Sequence, residues 1–99
     1  RIGPTEVEDC LLKSPAVQLA AVIGVPDEAR TEIVKAFIVP AEGIEADKQL
    51  AEALKDLVRQ HLAKHEVPRQ VEFVDSLPMT TTGKIMRRAL RDQELAKLP

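Results

Sequence analysis

From Ala16 to Val25 the chain is almost continuously apolar, with Val17, Val22, Ile23 and Val25 in the run and Pro15 and Pro26 at its borders. A run this short cannot span a bilayer, which needs about 20 residues. Its β-branched content and proline boundaries predict a buried strand from about Leu19 to Gly24. Pro26-Asp27-Glu28-Ala29-Arg30 has turn chemistry, and Glu32 to Val39 brings a second apolar set, Ile33, Val34, Phe37, Ile38 and Val39. The two runs predict an antiparallel hairpin whose loop is longer than a two-residue turn.

Helical periodicity frames this hairpin. Pro4 followed by Glu6, Glu8 and Asp9 reads as a helix start, because proline suits the first helical position and acids suit the positive end of the dipole. Val7, Cys10 and Leu11 make its apolar face, and Ser14-Pro15 ends it. Asp47 to His65 is the longest predicted helix, with Asp47 as N-cap and Leu50, Leu54, Leu57, Val58, His61 and Leu62 on one face. His61 then borders the apolar face and His65 sits near the negative end of the dipole. Val71, Phe73 and Leu77 alternate in a third strand, Gln70 to Asp75, facing inward. A last helix begins near Lys84, with Ile85, Met86, Ala89 and Leu90 inward and Arg87, Arg88 and Arg91 outward. The order helix, strand, strand, helix, strand, helix predicts an α+β fold: a small mixed three-stranded sheet with an antiparallel hairpin, flanked by three helices.

Composition removes several classes of function. Ninety-nine residues make one domain with a modest core. The net charge of -2 and aromatic content of 2% give no support for nucleic-acid binding or an anionic membrane surface. Cys10 is the only cysteine, so an internal disulfide and a multi-cysteine zinc site are both excluded. It reads as a small core residue. Neither histidine has a partner at metal-ligand spacing, so no metal site is expected. A reducing, cytoplasmic setting fits. The chain opens on Arg1-Ile2-Gly3-Pro4 without methionine, which suggests a piece of a longer protein with a preceding domain.

The chemistry gathers in Leu77-Pro78-Met79-Thr80-Thr81-Thr82-Gly83-Lys84-Ile85, between the third strand and the last helix. Three hydroxyls, a glycine and a lysine there can grip an anion, helped by unpaired amides if a helix starts at Lys84. The same residues also make an ordinary polar turn with a solvated lysine. A phosphate-binding P-loop is excluded: its first glycine would fall on Pro78, and Ile85 stands where its Ser or Thr belongs. No nucleophile elbow is present. What remains is one lysine that stabilises negative charge, most effectively charge that develops in a transition state.

Val74-Asp75-Ser76-Leu77-Pro78-Met79-Thr80-Thr81-Thr82-Gly83-Lys84-Ile85-Met86-Arg87-Arg88 resembles the final motif of AMP-forming adenylating enzymes, L-P-K-T-x-S-G-K-I-x-R-R in its usual form. Arg1-Ile2-Gly3-Pro4-Thr5-Glu6-Val7-Glu8 resembles the motif just after their hinge. Ala20 to Asp27 and Val34 to Val39 resemble the strands between. The resemblance covers essentially the whole chain. Met79 stands where lysine is common and Thr82 where serine is common, and the Gly-Lys pair is kept. The overall look is that of bacterial acetyl- and medium-chain acyl-CoA synthetases.

The resemblance implies a mobile C-terminal lid on a large N-terminal adenylation domain that holds ATP and a carboxylic acid; it implies Mg2+ too, not bound by this domain. Lys84 would then contact carboxylate and phosphate oxygens during acyl-adenylate formation, with Thr80, Thr81, Thr82 and Gly83 shaping its loop. After the lid rotates, Arg1, Ile2 and Gly3 would line the channel for CoA. Arg59, Arg87 and Arg88 are candidates for the CoA phosphates, and each also reads as part of a solvated helix face. Lys84 would be a target for acetylation, which removes its charge. Two alternatives stand beside this reading: loading of a carrier-protein thiol instead of CoA, and a non-enzymatic anion- or RNA-binding module using the basic last helix.

Overall fold

A computed structural model of the chain describes residues 4–27 and 31–97. The elements are α1 (Pro4–Leu11), β1 (Val17–Asp27), β2 (Thr31–Pro40), α2 (Lys48–His61), a single 3₁₀ turn (Lys64–Glu66), β3 (Gln70–Phe73) and α3 (Arg87–Ala96). The sheet order is β1-β2-β3. β1 and β2 are antiparallel from Val17↔Pro40 to Asp27↔Thr31, with an irregularity between Val17 and Leu19. β3 runs parallel to β2, from Lys35↔Gln70 to Ile38↔Phe73. The predicted α+β fold, its hairpin and its mixed sheet are therefore present.

The uninterrupted apolar run has a physical reason. Along β1, Ala20 and Val22 point to one face of the sheet while Ala21, Ile23 and Val25 point to the other, and both faces are covered. On the first face Val7, Cys10 and Leu11 of α1 and Leu54 and Val58 of α2 pack against Ala36 and Ile38. On the second, Leu77 and Leu90 pack against Phe37 and Val39. Cys10 is a buried core residue, and burial pushes its thiol up despite nearby Lys13.

Several boundaries differ from the sequence expectation. β1 continues through Pro26 and Asp27 into the expected turn, while residues 28–30 lie outside the described residues. Asp47 caps α2 as expected, accepting the Leu50 N–H at 2.9 Å. The helix nevertheless stops at His61 rather than His65. Leu62 adopts extended backbone (φ -127°, ψ 177°) and packs toward the core, so Pro68 ends only the short 3₁₀ turn. His65 is therefore off the helix end, with Nε2 2.8 Å from Glu66 Oε1. His61 is exposed, its Nδ1 2.9 Å from the Leu57 carbonyl. β3 ends at Phe73, and the alternation breaks there: Val71 and Phe73 pack on the first face, Leu77 on the second.

The last helix is the largest correction. It starts at Arg87, not near Lys84. Met86, the N-cap, has no side-chain oxygen to receive a helix amide. Leu90 is its one buried residue. Ion pairs add to its attachment: Arg87 to Glu8, Arg91 to Glu32 at 3.2 Å, and Glu94 to Lys35. Lys35 sits mid-strand with a buried side chain, held by Glu72 at 2.9 Å and by Glu94, 4.9 Å from the centre of the Phe37 ring.

Candidate active site

The segment between β3 and α3 forms a second, much smaller hairpin. Leu77 is buried and anchors its entry. Met79 and Ile85 make an isolated antiparallel bridge. The Thr80 N–H donates to the Lys84 carbonyl at 2.8 Å and the Gly83 N–H to the Thr80 carbonyl at 2.9 Å. The Met86 N–H closes the base on the Pro78 carbonyl at 2.8 Å. Gly83 has φ +85°, in the left-handed region that glycine occupies without strain. A side chain there would meet no atom within 4 Å, so conformation rather than space explains the glycine.

Thr80 ties the turn together. Its Oγ1 accepts the Lys84 N–H at 3.1 Å and lies 2.9 Å from Thr82 Oγ1. Thr81, Thr82 and Lys84 are exposed at the tip. The anion grip expected from helix amides is corrected by these bonds: the amides of Thr80, Gly83, Lys84 and Met86 are used inside the hairpin, and the helix N-terminus lies beyond them. What the loop presents is an ammonium group on a short, hydrogen-bonded turn. Lys84 has no ion pair among the described residues. An exposed lysine so placed can meet two anions brought together from elsewhere; it offers no base, nucleophile or metal ligand of its own. Among the described residues no group of three or more His, Cys, Asp or Glu could hold a metal ion.

The other candidate residues are scattered. Arg1, Ile2 and Gly3 lie outside the described residues; α1 begins immediately after them. Arg59 pairs with Asp56 one turn earlier and lines a cleft of about 730 Å³ with Lys55, Lys64, Arg69, Glu32 and Glu52; Lys84 does not line it. Arg88 is exposed and has no ion pair among the described residues. Arg87 departs from the outward orientation expected of it. Its guanidinium engages Glu8 through Nε at 2.8 Å to Oε2 and through Nη2 to Oε1. That hydrogen-bonded pairing, against the opposing effect of burial, raises its affinity for its proton further.

Sequence pattern alone assigns no buried ion pair to Glu8, Lys35 or Glu94. Lys35 did leave a signal: a charged residue inside a run otherwise fit for burial calls for a partner. Glu8 left a weaker one, since it borders the apolar stripe of α1 one turn before Leu11.

Residues 6–84 match the family model for the AMP-binding enzyme C-terminal domain, the match ending on Lys84. The chain is 52% identical over 95 residues to acetyl-coenzyme A synthetase of Bacillus subtilis, covering 96% of this chain and 17% of that protein. It is 50% identical over 97 residues to 4-hydroxybutyrate–CoA ligase 1 of Metallosphaera sedula, covering 98% and 17%. The crystal structure of a Brucella canis acyl-CoA synthetase superposes with a TM-score of 0.94 at 55% identity, over 98% of this chain and 18% of that one. This chain belongs to the AMP-binding enzyme C-terminal domain family. It spans about a sixth of the length of these relatives.

Proposed function

We propose that this domain is the C-terminal catalytic lid of an acyl-CoA synthetase and that Lys84 acts in acyl-adenylate formation. The observation that carries the reading is the exposed Lys84 held at the end of a hydrogen-bonded hairpin, in a chain of this family. A carboxylate approaching the α-phosphate of ATP brings two anions together, and charge grows on the phosphate oxygens as the new bond forms. A pre-positioned ammonium group stabilises that charge more than it stabilises the separate reactants. A large N-terminal adenylation domain would supply the nucleotide and acid pockets, together with the Mg2+ site. Arg1, Ile2 and Gly3 would line the CoA channel after the lid rotates. Arg59 and Arg88 are the candidates for CoA phosphates; Arg87, occupied by Glu8, is not. The names of the Bacillus and Metallosphaera relatives support CoA, rather than a carrier protein, as the thiol acceptor. Among the described residues no helix is long and apolar enough to cross a membrane. Separately, the lone cysteine fits a reducing compartment, and a cytoplasmic location is part of the proposal.

The test is Lys84→Ala in the full-length protein. ATP–pyrophosphate exchange driven by the acid should be abolished, while supplied acyl-adenylate should still react with CoA. Near-normal exchange would refute the assignment. Acetylation of Lys84 should reproduce the same selective loss, because it removes the charge.

A further inference from the structure

We infer that Glu8 and Arg87 form a positioning pair that aims Lys84; the inference rests on the adenylation role proposed above. Glu8 lies in the middle of α1 with its side chain 6% exposed. Its carboxylate is fully committed. Oε2 accepts the Val22 N–H at 2.8 Å and the Arg87 Nε–H at 2.8 Å, and Oε1 accepts Arg87 Nη2–H. One buried group thus joins three elements: α1, the edge strand β1, and the first residue of α3.

Helix stability does not explain the arginine. Arg87 is the first residue of α3, where a cation opposes the positive end of the dipole. Nor does apolar packing fix the direction of the hairpin. Leu77 and Ile85 join the second cluster, and such contact is non-directional. A two-point guanidinium–carboxylate bond is directional. It lies three residues after Lys84 and one after Met86, whose N–H closes the hairpin on Pro78. The hydrogen-bonded base of the hairpin inherits its angle from that bond. Because Glu8 sits four residues after Pro4, the same bond also ties the Lys84 hairpin to the helix that follows the proposed CoA-channel segment.

Two variants test this in the full-length enzyme. Arg87→Lys keeps the charge and removes the fork. Glu8→Gln keeps the shape and one oxygen for Val22, and removes the two-point bond. Both half-reactions are measured on the same preparation: ATP–pyrophosphate exchange at saturating substrates, and thioester formation from supplied acyl-adenylate and CoA. Their ratio is independent of the fraction of protein that folds. We expect it to fall by about 10²-fold, the scale of a misplacement near 1 Å, with the KM for ATP nearly unchanged. An unchanged ratio in both variants overturns the pair's role. So does a selective loss of the thioester step with a raised KM for CoA, which would make Arg87 a CoA contact. Lys84→Ala runs alongside. If it lowers the ratio while the two variants do not, the positioning pair fails and the lysine role stands. If it too leaves the ratio unchanged, the adenylation role itself fails.

Discussion

The chain contains two hairpins built on opposite terms. The β1–β2 hairpin is paired from Val17↔Pro40 to Asp27↔Thr31 and packed on both faces. The Lys84 hairpin has one bridge, Met79↔Ile85, with an exposed tip. The first holds the fold and presents no chemistry. The second adds little to the fold and presents the lysine. Placing an interacting group on a segment of low local stability, anchored at its base to a rigid sheet, separates the requirement to stay folded from the requirement to reach a ligand.

That contrast can be broken at three strengths. Ile38 is fully buried in the central strand, and Ile38→Ala should lower unfolding free energy by about 2–5 kcal/mol, read from denaturant melts. A loss below 1 kcal/mol would mean that the sheet is not the main support.

The charged attachment of α3 gives an intermediate effect. Burial alone would raise the Glu94 carboxyl, but hydrogen bonds from Lys35 and Lys97 outweigh it and hold the group below the ordinary 4.5. A depressed folded value stabilises the protein above the unfolded value and loses that stabilisation as pH falls through the folded one. Stability should therefore decline as pH drops below about 4.5. Glu94→Gln should remove this part of the slope and reduce stability at neutral pH by about 1–3 kcal/mol. Equal acid slopes in the two proteins would contradict the assignment. Burial alone would lower Lys35, yet its bonds to Glu94 and Glu72 leave it raised. It thus remains charged across this range, and its contribution is lost only as alkaline pH passes its folded value.

The smallest effect on stability should come from Gly83→Ala. The left-handed backbone disfavours a side chain by roughly 1–2 kcal/mol, and the strain is confined to the small hairpin. The melting temperature should fall by no more than a few degrees, because the small hairpin can open before the sheet unfolds, while amide exchange at Thr80 and Gly83 accelerates. A large drop in melting temperature would show that the small hairpin is part of the core after all.

The fold was legible where the signal is local. Two adjacent apolar runs predict a hairpin, Pro4 opens α1, and Asp47 caps α2, each through chemistry contained within a few residues. The family resemblance marked Lys84, and the positive φ of Gly83 agrees with a glycine needed at a turn. The start of α3 was misread because Ile85 and Met86 continue its apolar spacing; spacing alone does not register that Met79 pairs with Ile85 and diverts the chain. Leu77 is buried as expected, but on the opposite face from Val71 and Phe73, because a strand's alternation gives no warning of where the strand stops.

The sequence by itself determined the element types, the hairpin and the residue chemistry of the Lys84 loop, because these depend on neighbours along the chain. Only the tertiary structure decided that the amides of Thr80, Gly83, Lys84 and Met86 are used inside that loop. It also revealed that Arg87 turns inward to Glu8 and that Lys35 is enclosed by Glu72 and Glu94. Those pairings join residues 79, 37 and 59 positions apart. A buried charge must find its partner wherever the fold brings one within reach, and that choice belongs to the pairing of β3 with β2 and the packing of α1 and α3 on the sheet.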